Sequence, residues 1–93
     1  MSDAKQLAEM IIRQGTSTRG RHRALLVVER ESTAPRNRVS VTDLAMRIRQ
    51  SGHGEWTASR TEQAAMILVK EGALLRKEGG FSIADPARLR AVV

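Results

Sequence analysis

The chain has 93 residues, which is enough for one domain with one modest hydrophobic core and too few for two packed domains. Sixteen Lys and Arg face ten Asp and Glu for a net charge of +6, and the absence of cysteine excludes a disulfide framework or a thiolate metal site. Only Trp56 and Phe81 are aromatic, so the core must be assembled from Leu, Ile, Val, Met and Ala, a composition that favours packed helices over a β-sandwich.

The first segment, Asp3 to Gln14, places Ala4, Leu7, Ala8, Ile11 and Ile12 at helical spacing, and Gly15 stops it. Gly15-Thr16-Ser17-Thr18 then reads as a linker. Thr18 is placed to cap a second helix from about Arg19 to Glu31 around the apolar stretch Ala24 to Val28. The β-branched pair Val27 and Val28 would also suit a strand, but the charged flanks favour a helix. Ser32 to Arg38, with Pro35 and Asn37, is a loop.

Ser40-Val41-Thr42-Asp43 is a variant capping box ahead of Leu44, Ala45 and Ile48, which predicts a third helix to about Gln50. A turn through Ser51-Gly52-His53-Gly54 follows. Thr57 caps a fourth helix from Ala58 to Glu71, ended by Gly72. Ala73 to Arg76 and Gly80 to Ile83 are short strands joined as a hairpin by Lys77-Glu78-Gly79. Asp85 caps a last short helix with Pro86 at its first position. The expected class is mainly α with a small β-hairpin. The longest apolar runs, Ala24 to Val28 and Ala64 to Val69, fall far short of the roughly 20 residues that span a bilayer. The start Met1-Ser2-Asp3-Ala4-Lys5 lacks the features of a secretory signal, so a cytoplasmic location is expected.

The positive charge is concentrated in one third of the chain. Residues 19–49 carry eight arginines against Glu29, Glu31 and Asp43, whereas the segments on either side are close to balanced. Arginine suits phosphate because its guanidinium fork can donate two parallel hydrogen bonds.

From Val39 onward the pattern resembles the winged helix-turn-helix of DeoR-type and cyclic-AMP-receptor-type regulators. The residues that carry the resemblance are Val39-Ser40-Val41-Thr42-Asp43-Leu44-Ala45, Trp56-Thr57, Leu68, Glu71-Gly72-Ala73-Leu74-Leu75 and Gly79-Gly80. It implies a winged helix-turn-helix domain over 19–93, preceded by an extra N-terminal helix and linker over 1–18. It also implies double-stranded DNA as the partner and a role as a small transcription regulator, with the fourth helix in the major groove and the hairpin on the flanking backbone. Arg49 to Glu55 makes the inter-helix turn longer than in the common family members.

On the fourth helix, with Leu68 at the centre of the buried face and about 100° per residue, Thr61, Ala64 and Ala65 point inward. Ser59, Glu62, Gln63, Met66 and Lys70 point outward, with Arg60 at the boundary. Ser59, Gln63 and Met66 are therefore the candidate base contacts, glutamine pairing its donor and acceptor with adenine. Arg19, Arg21, Arg23, Arg36, Arg38, Arg47, Arg49, Arg60, Lys70 and Lys77 are the candidate backbone contacts. The stripe Leu7, Ile11 and Ile12 is surplus to a three-helix winged domain, so the first helix is expected to build a homodimer.

Nothing in the sequence marks an enzyme. His22 and His53 stand apart without metal-ligand spacing. Asp43, Glu55 and Glu62 show no acid–base spacing. Gly79-Gly80 is too short to cradle a phosphate, so no cofactor or metal is expected. Trp56, just before the fourth helix, is expected in the core. The alternative function is a protein–protein adaptor in a replication, phage or defence-related complex, motivated by Met66 and Ile67 on an otherwise polar stretch.

Overall fold

The structure is a computed structural model that describes residues 2–15, 24–31, 38–78 and 80–93. Among these residues it is mainly helical, with helices α1 (Asp3–Gly15), α2 (Val41–Gln50), α3 (Ala58–Lys70) and α4 (Pro86–Val92). Strands β1 (Leu74–Lys77) and β2 (Gly80–Ile83) form an antiparallel hairpin between α3 and α4. The linker over 16–18, the predicted start of a helix at 19–23 and most of the loop over 32–37 lie outside the described residues.

Helix starts are set by the capping side chains that the sequence places there. Ser40 accepts from the Asp43 N–H, Thr57 from the Arg60 N–H, and Asp85 from the Ala87 N–H, each satisfying a donor that the first helical turn leaves open. Pro86 occupies the first turn of α4, where its missing N–H costs nothing. At the other end of α3, Gly72 adopts a φ of 78°, and the Ala73 N–H returns to the Leu68 carbonyl at 3.0 Å. That left-handed residue closes the helix and turns the chain into β1.

The predicted second helix is a correction. From Ala24 to Val28 the backbone is not helical, and only a single 3-10 turn forms at Glu29–Glu31. The Ile83 N–H donates to the Val27 carbonyl at 2.9 Å, and Val28 forms a parallel bridge with Ile83. One arginine group, Nη1 of Arg47, reaches the carbonyls of Ala24 and Leu25 at 3.2 and 3.5 Å. Carbonyls that a helix would have used internally are thus taken by β2 and α2, and Leu25 and Leu26 enter the core from this non-helical segment.

Val39 pairs antiparallel with Phe81, exchanging both backbone hydrogen bonds, at 3.0 and 2.9 Å. It therefore lies beside β2 on the edge opposite β1, immediately before α2. Gly80 makes this approach possible: its φ is 130°, and a Cβ there would lie 2.7 Å from the Ser40 nitrogen and closer still to the Val39 carbonyl group.

Helix α3 is central, packing against α1, α2 and β1, while α1 also packs on α4. Leu7 and Ile11 are 0% exposed inside this core, together with Leu44, Ile48, Leu68, Trp56 and Phe81. Ile12 packs against the core's edge, partly buried. The apolar stripe of α1 is covered by its own chain, and the expectation that Leu7 and Ile11 face a second copy is corrected. Trp56 is buried as expected. No helix among the described residues is long and apolar enough to cross a membrane.

Candidate functional site

Helix α3 buries Thr61, Ala64, Ala65 and Leu68 and turns its other side outward. The burial is dictated by the 3.6-residue repeat, and Thr61 enters the core at low cost because its hydroxyl donates to the Thr57 carbonyl at 2.8 Å. On the outer side, Ser59, Gln63 and Lys70 are exposed, while Glu62 and Met66 are half-buried. These five and Ile67 line one shallow depression along the helix. Ile67 is 46% exposed, an apolar side chain on the flank nearest α4.

The hairpin borders this face through Arg76, which the sequence reading did not single out. Its guanidinium lies 5.5 Å from the Phe81 ring centroid and reaches Glu62 at 3.5 Å and the Met66 sulfur at 3.3 Å. Half of its side chain remains exposed. Arg76 sits directly across from Phe81 in the hairpin register. An arginine two residues beyond a buried leucine in a predicted strand is the signal that would have found it.

Several cations named as candidate backbone contacts have intramolecular partners in the free chain. Arg38 forks onto Glu29, with Nη2 at 2.6 Å and Nε at 3.2 Å. Lys77 reaches the same carboxylate at 3.3 Å, and the Ser82 hydroxyl donates to it at 2.5 Å. Arg47 holds the Ala24 and Leu25 carbonyls, and Arg49 donates to the Trp56 carbonyl at 2.9 Å. Arg60 forks onto Asp3, at 2.9 and 3.0 Å. In the free chain each of these candidate contacts is therefore engaged by an oxygen of its own chain. A guanidinium carries five donors, and in so small a protein nearby carboxylates and carbonyls take them up. Lys70 keeps an exposed side chain with no hydrogen-bond or ion-pair partner among the described residues. Arg19, Arg21, Arg23 and Arg36 lie outside the described residues.

Glu29 joins three parts of the fold, since Arg38 precedes α2, Lys77 ends β1 and Ser82 lies in β2. Hydrogen bonds from Arg38 and then Ser82 hold its carboxyl down at about 2, against an ordinary value of 4.5. A carboxyl lowered on folding stabilises the protein above its unfolded value and loses that contribution as pH falls through its folded value. Urea midpoints measured across pH should therefore fall between pH 4.5 and about 2. Glu29→Gln should flatten that part of the profile; an equally steep profile in the variant would place the responsible group elsewhere.

Among the described residues no three His, Asp or Glu side chains converge to hold a metal ion. His53 lies half-buried in the turn between α2 and α3, where its backbone N–H donates to the Ile48 carbonyl at 3.3 Å. The outer side of α3 is thus a polar helix face with one apolar flank and an arginine-bearing hairpin beside it. No known protein family matches the chain, and neither curated proteins nor solved structures yield a match.

Proposed function

We propose that the chain is a non-catalytic double-stranded DNA-binding module of winged helix-turn-helix type, suited to transcription regulation. In this reading α3 enters the major groove and the β1–β2 hairpin flanks it. The observation that carries the proposal is the outer face of α3. Ser59, Gln63 and Lys70 stand exposed along three turns of a helix whose opposite side is locked in the core, and Arg76 is presented next to them by the hairpin. The α2–turn–α3–hairpin order, with Val39 bridged to the outer edge of β2, and the net charge of +6 support the same reading.

Gln63 can pair its amide with an adenine edge, with Ser59 and Met66 beside it, while Lys70 and Arg76 meet phosphates. A labelled random duplex pool at about 100 mM salt tests this directly, because phosphate contacts alone give micromolar to 100 μM affinity near such salt. Retention at micromolar protein is expected. On the selected site Gln63→Ala should cost about 1 to 3 kcal/mol and little on random DNA. Arg76→Ala should weaken all sequences alike and reduce the slope of log affinity against log salt by about 0.9. A silent Gln63→Ala would remove α3 from base recognition.

The 46% exposure of Ile67 beside Met66 favours a second reading, in which this face grips another protein. Failure of the chain to retain any duplex in the same assay would favour that reading.

A further inference from the structure

We propose that Trp56 and Arg60 form an oxyanion receptor at the start of α3, occupied by Asp3 of the same chain in the free protein and by a DNA backbone phosphate in the complex. The inference rests on the DNA-binding reading above and adds to it a built-in competitor for the DNA.

Arg60 lies in the first turn of α3, and its guanidinium carbon is 4.3 Å from the centroid of the Trp56 ring. Trp56 is buried and bonded through its backbone to the preceding turn, so the stack holds the guanidinium against a fixed surface. Its donor edge meets Asp3: Nε donates to Oδ2 at 2.9 Å and Nη2 to Oδ1 at 3.0 Å, with Gln6 Oε1 accepting from Nη2 at 3.3 Å. A phosphate offers the same pair of oxygens to the same fork.

Two features make exchange physically reasonable. The side chains of Arg60 and Asp3 are 30% and 41% exposed, so replacing one anion by another opens no part of the core. An ion pair this open to water contributes little to folding, and its loss is readily offset by a phosphate contact. Position also fits, because Arg60 is adjacent to Ser59 and one turn before Gln63. A phosphate held there would flank the bases those side chains meet. Asp3 has its own reason to stay when displaced, since a carboxylate in the first turn of α1 is favoured by the helix dipole.

The test is a double-mutant cycle on the full chain with random duplex DNA. Asp3→Asn keeps an amide oxygen for Arg60 but removes the competing charge, and is expected to raise affinity about two- to fivefold at about 100 mM salt. Glu9→Gln removes the same charge from the same helix and serves as the measure of general electrostatics; its gain should be clearly smaller. Arg60→Ala should lower the salt slope by about 0.9 and abolish the gain from Asp3→Asn when the two are combined. In the unmodified, isotope-labelled chain the carbon NMR resonance of the Asp3 carboxyl should shift on saturation with duplex at neutral pH. A gain from Asp3→Asn no larger than that from Glu9→Gln, a gain that persists with Arg60→Ala, or an Asp3 resonance unmoved by DNA would each overturn the inference while leaving DNA binding intact. An unmodified chain that retains no duplex would overturn both, and that result is seen before any variant is made.

Discussion

Leu7→Ala should lower the free energy of unfolding by about 3 to 5 kcal/mol, read as a fall in the urea midpoint of the far-ultraviolet circular dichroism. The side chain is 0% exposed on α1, a helix that packs against both α3 and α4, so truncation leaves a cavity in the core. Those helices carry their own buried residues, Thr61, Ala64, Ala65, Leu68 and Leu89, and cannot collapse into the gap without losing those contacts. Domains of this kind have total stabilities of about 5 to 15 kcal/mol, so one buried isopropyl group accounts for a large share. The loss should be the same at every protein concentration, because Leu7 is covered by its own chain. A loss that shrinks as the chain is diluted would instead mean that a second copy covers this position.

Gly80→Ala should cost about 3 kcal/mol or more, from two faults that act together. The φ of 130° lies in a region that L side chains rarely adopt, and the added methyl would run into the Val39 carbonyl group and approach the Ser40 nitrogen at 2.7 Å. The atoms in the way are backbone and cannot rotate aside. To accommodate the methyl, the Val39–Phe81 bridge must open, which unseats the hairpin from the start of α2. Gly54→Ala is the matched comparison: nothing lies within 4 Å of its added methyl, and the change should stay within about 0.5 kcal/mol. Equal melting temperatures for the two variants would show that the hairpin does not depend on this close approach. Because Arg76 rides on the same hairpin, Gly80→Ala should also weaken any DNA binding through it, whereas Gly54→Ala should not.

The elements that the residues predicted well share a short range. Ser40 and Asp43, Thr57 and Arg60, and Asp85 and Ala87 meet within three residues, so each helix start is decided by neighbours in the chain. The inward side of α3 follows from the helical repeat alone, and Thr61, Ala64 and Ala65 lie where the spacing puts them. The hairpin is local as well, with its second strand at the predicted Gly80–Ile83 and its first at Leu74–Lys77, one residue later than the predicted Ala73 to Arg76. With these elements came the candidate face of Ser59, Gln63 and Lys70.

The segment from Ala24 to Val28 departs from the predicted helix because its local preference is divided. Leu25 and Leu26 suit a helix and Val27 and Val28 a strand, and the choice falls to distant partners, the Ile83 N–H and the Arg47 guanidinium. Nor does periodicity tell whether the stripe of α1 faces its own chain or another, since burial against α3 and against a second copy demand the same spacing. The arginines show the difference most clearly. Composition determined that the protein carries an excess of cations, but a guanidinium at the end of a long side chain bonds whichever anion or carbonyl the fold brings within about 3 Å. For Arg60 that anion is Asp3, 57 residues away, and for Lys77 it is Glu29, 48 residues away. Caps and helix faces were therefore determined by the sequence through covalent neighbours. Which cations are satisfied internally and which face solvent was decided only when the tertiary structure brought remote oxygens to them.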